Sequence, residues 1–100
     1  MSVIWSPESH DELAEIRSYI ATDNRERAVS FVMEITAAGE AIADMPKAFP
    51  LVPRLEHRGI RKRVHGQYLI FYRIEDQDVH ILHVAHGARD YIKVLFSEGE

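Results

Sequence analysis

Apolar residues recur at helical spacing through the first half of the chain and at strand spacing through the second half. The short, partly β-branched run Ser2–Trp5 is typical of a strand. Ser6 and Pro7 form a helix start, because a serine side chain caps free N–H groups and proline needs no donor there. Leu13, Ile16 and Ile20 then repeat along one face and predict a helix over about residues 7–22.

A second helix follows after only a few residues. Asp23 and Glu26 have the spacing of a capping box, with Asp23 as the cap. An apolar stripe at three- and four-residue steps continues to Pro46, which ends the helix. The stripe consists of Ala28, Phe31, Val32, Ile35, Ala38, Gly39, Ile42 and Met45. The short connection predicts that the two helices pack as an antiparallel hairpin.

Three strands are predicted in the second half, over about residues 60–65, 68–75 and 78–86. The preceding segment, 46–59, contains three of the four prolines and is predicted to be a loop. Gly66-Gln67 and Asp76-Gln77 are short enough to connect the strands as hairpins.

The order of elements is β-α-α-β-β-β with a short C-terminal helix, which predicts a single α+β domain over residues 1–100. A helical hairpin would pack on a small antiparallel sheet. The middle strand is apolar on both faces, since Tyr68, Ile70 and Tyr72 alternate with Leu69 and Phe71. Its second face must therefore be covered by the C-terminal segment 91–96 or by a partner chain.

Composition excludes several classes of protein. No apolar run approaches the roughly 18 residues of a membrane span, and the N-terminus lacks the features of a signal peptide. The chain has no cysteine, which excludes disulfides and thiolate chemistry and fits a cytoplasmic protein.

Positive charge is concentrated in one segment of an acidic chain. The net charge is −4, yet residues 54–73 carry six basic residues against Glu56 alone. Such a segment can bind an acidic partner. The alternative is a strand edge that Arg and Lys protect against aggregation.

The histidines and serines do not form a recognisable site. His83 and His86 are an odd number of residues apart on a strand and point to opposite faces, while His80 and His86 are ~20 Å apart. No metal or cofactor site is predicted. The serines lie at a cap, within helices or at the ends of the chain, and none lies on a nucleophile elbow.

Acid–base cleavage of RNA remains an alternative, since it requires a base, an acid and cations for the phosphate. Residues of these types are Arg61, Arg63, Arg73, His83, His86, Arg89 and Tyr91. Their spacing does not indicate which of them converge. Core packing is the simpler interpretation of Tyr68, Phe71 and Tyr72.

The ordered set of motifs resembles the RelE/ParE superfamily of toxins from bacterial type II toxin–antitoxin modules. The match covers nearly the whole chain. It rests on Trp5-Ser6-Pro7, the stretch Asp11–Ile16, the Met45-Pro46 stop, Ile70-Phe71-Tyr72-Arg73 and His86-Gly87-Ala88-Arg89-Asp90. The last two motifs are the most specific, and the chain is most similar to the ParE branch.

This resemblance implies one of two toxic activities. ParE toxins poison DNA gyrase without being enzymes, whereas RelE toxins cut messenger RNA on the ribosome. The pattern favours the ParE branch, because RNase members tend to be strongly basic and to carry an arginine where Leu69 follows Tyr68. A net charge of −4 is also unfavourable for docking on ribosomal RNA. A non-toxic member that only binds its partner is the third alternative.

The resemblance also implies a partner, a ParD-like antitoxin whose C-terminal segment wraps the toxin in a hetero-oligomer and so stabilises plasmids that encode the pair. The candidate contact residues for antitoxin or target are Arg61, Arg63, Arg73, His86, Arg89, Asp90 and Tyr91. We expect Arg61→Ala or Arg89→Ala to reduce toxicity more than stability, because exposed arginines contribute little to folding.

Overall fold

The computed structural model describes residues 1–88 and 91–96. The elements are β1 (Val3–Trp5), α1 (Pro7–Ala21), α2 (Arg25–Ala41), β2 (Arg61–His65), β3 (Tyr68–Glu75), β4 (Asp78–His86) and α3 (Tyr91–Phe96). Two single 3₁₀ turns, Ile42–Asp44 and Glu56–Arg58, lie between α2 and β2. The predicted α+β architecture is confirmed. None of the helices in the described ranges is long and apolar enough to cross a membrane.

The strands form one sheet in the order β1-β4-β3-β2. The pairs β2–β3 and β3–β4 are antiparallel, as predicted. β1 pairs parallel to β4, which makes the sheet mixed. A break in register between Phe71 and Tyr72 marks a bulge at Leu82 in β4, a residue that has no partner in β3.

The sheet is covered on both faces. The helical hairpin covers one face, with a core of Leu13, Ile16, Phe31, Ile35, Ala38, Ile42, Ile70, Tyr72, Val79, Ile81 and Val84. The other face packs Leu69, Phe71 and Ala85 against Phe96 of α3. Val52, Leu55 and Ile60 join this second core, so the loop before β2 and α3 cover the face together.

Two details of the hairpin differ from the sequence prediction. The cap of α2 is Asn24, whose side chain accepts a hydrogen bond from the Arg27 N–H, and not Asp23. The Asp23 N–H bonds to the Ile20 carbonyl, so Asp23 belongs to the turn that closes α1. Met45 is 65% exposed, because the 3₁₀ turn after Ala41 rotates it off the buried stripe.

Trp5 fixes β1 against α2. Its Nε1 donates to Glu40 Oε2 at 2.7 Å. Its ring lies so close to Gly39 that a Cβ on that glycine would be 2.5 Å from Trp5 Cη2. The absence of a side chain at position 39 therefore permits this approach.

Candidate functional site

Two of the candidate arginines, Arg61 and Arg63, point from β2 toward the C-terminal end of α2 and the segment that follows it. The Arg63 Nη1 donates to the Ala38 carbonyl at 2.7 Å, and the guanidinium lies 4.9 Å from the centroid of the Phe49 ring. Ala38 is in the last turn of α2, where carbonyls lack intrahelical donors and a cation is favourable. Arg63 therefore stabilises a helix end.

Arg61 has a similar role in the loop. Its Nη1 donates to the Phe49 carbonyl at 2.7 Å and to the Lys47 carbonyl at 3.4 Å. The side chain is half-buried. The premise that Arg61 is an exposed arginine with little effect on folding is wrong, because this guanidinium satisfies loop carbonyls. A role of Arg61 in toxicity stays a prediction.

Arg73 does not converge with the other two arginines. Arg61 pairs with Tyr72 across the β2–β3 ladder, and Arg73 points to the opposite face because successive strand residues alternate. Its guanidinium binds Glu75 at 3.2 Å. Both partners are more than a third exposed, so the ion pair contributes little to folding. Arg73 is thus more available to a partner than Arg61 or Arg63.

His86 lies at the end of β4 near the β2–β3 turn. Its Nδ1 accepts a hydrogen bond from the Ala88 N–H at 3.1 Å, and its Nε2 is 3.3 Å from Gln67 Oε1. An acceptor at Nδ1 places the proton of the neutral ring on Nε2, which donates to Gln67. Its ring also packs edge-on against Tyr68, whose pKa is raised above its usual value by burial.

The remaining candidates divide between the second core and the undescribed positions. Tyr91 packs its ring against Phe71, with centroids 4.8 Å apart, as part of the cover that α3 provides. Arg89 and Asp90 lie outside the described residues, and their roles stay predictions. The candidates that the structure describes are therefore spread over both sheet faces rather than gathered in one cleft.

Sequence reasoning missed a polar contact between α1 and β4. The Glu12 carboxylate accepts from the Val84 N–H at 2.8 Å and pairs with His83 Nδ1 at 2.9 Å. Both side chains are less than one-fifth exposed. β1 pairs with β4 only as far as Ile81, and Glu12 takes over the hydrogen bonding of the β4 edge beyond that point. The bulge in β4 places the His83 ring against Phe96. No spacing rule links residues 71 positions apart, so the sequence carried no signal for it.

Arg54 and Lys62 are cations that the candidate set omitted. Arg54 adopts a left-handed backbone (φ 76°) at the third position of the turn Val52–Leu55, a place that favours glycine. Within the described ranges, neither side chain forms an ion pair or a hydrogen bond. They therefore supply positive charge that is not used internally.

The described candidates offer several means of contact with a partner. The sheet face beneath α3 presents the apolar Leu69, Phe71 and Ala85 together with His83, whose imidazole is paired with Glu12 and contacts Phe96. No group of three potential metal ligands occurs among the described residues. Cations, an exposed strand edge and aromatic side chains are the means of binding that this chain offers.

The comparison with protein families identifies the chain. Residues 3–91 match the model of the ParE toxin of type II toxin–antitoxin systems, parDE. The chain belongs to the ParE toxin family. No match was found among curated proteins.

Two solved structures have the same fold as this ParE family member. One belongs to the chromosomal ParDE toxin–antitoxin system from P. aeruginosa, with a TM-score of 0.74 and 19% identity over 86% of this chain and 95% of that chain. The other belongs to the RelBE2 toxin–antitoxin complex from Mycobacterium tuberculosis, with a TM-score of 0.55 and 23% identity over 85% of this chain and 95% of that chain. At these identities, the likeness shows the fold and not the role of this chain.

Proposed function

We propose that this ParE family member is a toxin that inhibits DNA gyrase and is neutralised by a cognate, ParD-like antitoxin in the cytoplasm. The observation that carries the proposal is the match of residues 3–91 to the ParE toxin model. The pairing with an antitoxin is supported by the two structural neighbours, which come from a ParDE system and a RelBE2 complex. If the module lies on a plasmid, we expect it to stabilise that plasmid.

The sheet supports a non-enzymatic mode of action. Ribonuclease chemistry requires an acid, a base and cations around one phosphate. In the described ranges, Arg63 is bound to Ala38, Tyr91 is packed on Phe71, and His86 is bound to a backbone N–H and Gln67. Because these three are held by contacts inside the fold and lie on different sheet faces, we favour inhibition by binding. His83, paired with Glu12 on the sheet face of Tyr91, is the acid–base candidate that the induction experiment decides.

The antitoxin partner fits the charge of the chain. Residues 54–73 carry six cations against one acid, and among the described residues Arg54 and Lys62 have no internal partner. An acidic segment that folds on binding would be attracted to them and would cover apolar surface beside them. Covering these cations would also remove any contact with the target that depends on them.

Induction of the chain in bacteria tests this function. We expect DNA synthesis to stop before translation does, and co-expression of an acidic protein encoded beside the toxin to restore growth. The matched control is the chain with Gly39→Trp, whose side chain would overlap the Trp5 ring and which we expect not to fold. New messenger RNA ends after induction, with DNA synthesis unchanged, would instead establish the ribonuclease activity.

A further inference from the structure

The outer edge of β2 is only partly covered. The Lys62 N–H donates to the Pro50 carbonyl at 3.0 Å, and the Ile60 carbonyl accepts from the Val52 N–H at 2.8 Å. Leu51 forms a bridge with Arg61. The loop before β2 thus pairs with the first half of β2, as far as Lys62. Beyond Lys62 the loop no longer covers the strand edge.

The second half of this edge presents unused backbone groups. In a strand, the N–H and C=O of alternate residues point to opposite sides. Since Lys62 bonds outward to the loop, the N–H and C=O of Val64 also point outward, away from β3. No backbone partner for Val64 occurs on this side among the described residues. A short stretch, Lys62–His65, is therefore open to one added strand.

The side chains along this open stretch define what it can bind. Val64 is 61% exposed, which is unusual for a large apolar residue on a strand edge. Lys62 lies on the same face two residues earlier and has no ionic partner in the part of the chain that the structure describes. A complementary strand would place an apolar side chain beside Val64 and a carboxylate beside Lys62.

A second copy of this chain does not fit the edge. Antiparallel pairing of two copies over the open stretch would bring Arg63 of one copy opposite Arg63 or His65 of the other. Like charges across a strand pair are destabilising. The positive charge that protects the edge from self-pairing therefore also selects an acidic partner.

We propose that the β2 edge from Lys62 to His65 binds an extended acidic segment of a partner protein as an added strand. This rests on the function proposed above, in which that partner is the antitoxin. Backbone hydrogen bonds to Val64 supply affinity, and the charge beside Lys62 selects the sign of the partner.

Nuclear magnetic resonance with two defined peptides tests the proposal. One peptide alternates Glu and Val, and the other alternates Lys and Val at the same length. We expect the acidic peptide to shift the resonances of residues 62–65 and to slow hydrogen exchange at the Val64 amide. The basic peptide should bind at least ~10-fold more weakly, because it places like charges across the pair.

Two variants with matched controls locate the contact. Val64→Pro removes the outward N–H at an edge position that tolerates proline, and it should weaken the acidic peptide about 10-fold, whereas Val64→Thr keeps the N–H and most of the affinity. Lys62→Glu should also weaken binding. Arg17→Glu, the same charge change on an exposed residue of α1, should have little effect.

Three results would overturn the proposal: equal binding of both peptides, unchanged binding in Val64→Pro, or self-association of the chain through this edge. Tighter binding of a single-stranded oligonucleotide that is insensitive to Val64→Pro would assign the surface to phosphates instead.

The outcome of this test can be separated from that of the proposed function. A chain that binds the acidic peptide but leaves gyrase active keeps the edge site and loses the toxin activity. A gyrase inhibitor whose Val64→Pro variant is still fully neutralised by its antitoxin loses the edge site alone.

Discussion

Replacing Arg63 with alanine should destabilise the fold considerably more than an average surface substitution. The change removes the hydrogen bond from Nη1 to the Ala38 carbonyl and the contact with the Phe49 ring. A hydrogen bond from a charged donor contributes about 1.5–3 kcal/mol, and a cation–π contact about 0.5–1 kcal/mol. Because the side chain is half-buried and water can replace part of the bond, we expect a loss of about 2 kcal/mol.

Chemical and thermal unfolding measure this loss. For a domain of this size, about 2 kcal/mol lowers the melting temperature by roughly 10 °C. Arg63→Lys keeps the charge without the planar group and should fall between wild type and Arg63→Ala. The matched control is Arg73→Ala, which removes an ion pair between partly exposed groups and should change stability by less than about 0.5 kcal/mol.

Equal stabilities of Arg63→Ala and Arg73→Ala would refute this reasoning. Arg63 would then be free to contact a partner, as the sequence alone indicated. If Arg63→Ala is destabilised as expected, any loss of toxicity in this variant has to be compared at equal amounts of folded protein.

Three further predictions concern the packing of the helices and the ionisation of the core. Gly39→Ala should destabilise by about 1–3 kcal/mol and change the Trp5 fluorescence, because the new Cβ overlaps the indole; an unchanged spectrum and melting temperature would contradict the close approach. Glu12→Ala should cost about 2 kcal/mol in denaturant unfolding, since it leaves the Val84 N–H unsatisfied, and Glu12→Gln should recover part of it; equal stability of both variants with wild type would count against the contact. Burial raises the pKa of Tyr72 above its usual 10.0, so the unfolded state ionises first and stability should fall as pH rises above about 10. Tyr72→Phe should flatten this decline, although Tyr68 contributes to it as well, and an identical slope would refute the assignment.

The arrangement of elements could be predicted because its signals are local. The apolar stripe of α2, the Pro7 start and the two-residue turn at Gly66-Gln67 each depend on neighbours within a few positions. The two-sided burial of β3 followed from simple alternation. The cap of α2 was displaced by one residue because Asp23 and Asn24 are both good caps, and only the end of α1 decides between them.

The contacts of the candidate arginines could not be predicted, because they depend on tertiary structure. The positions of the end of α2 and of the loop before β2 decide whether a guanidinium binds a backbone carbonyl or remains available to a partner protein. The spacing of residues along the sequence predicts neither position. Arg63 therefore looked like a free cation, although it is bound to Ala38. The same holds for Val52 and Leu55, which lie in a proline-rich loop without periodicity and are nevertheless buried in the second core.

The bulge in β4 is a further feature without a local signal. It occurs where the register shifts between Phe71 and Tyr72, and it allows His83 to contact both Glu12 and Phe96. The sequence predicted correctly that His83 and His86 point to opposite faces. It did not indicate that a carboxylate from α1 would meet one of them.

The supercoiling of relaxed plasmid by purified gyrase, titrated with the purified chain, tests the central claim most directly. The account predicts that supercoiling falls as the folded chain is added and that it returns when the antitoxin is added in equal amount. Full supercoiling in the presence of excess chain, shown to be folded by its circular dichroism and cooperative melting, would contradict the account.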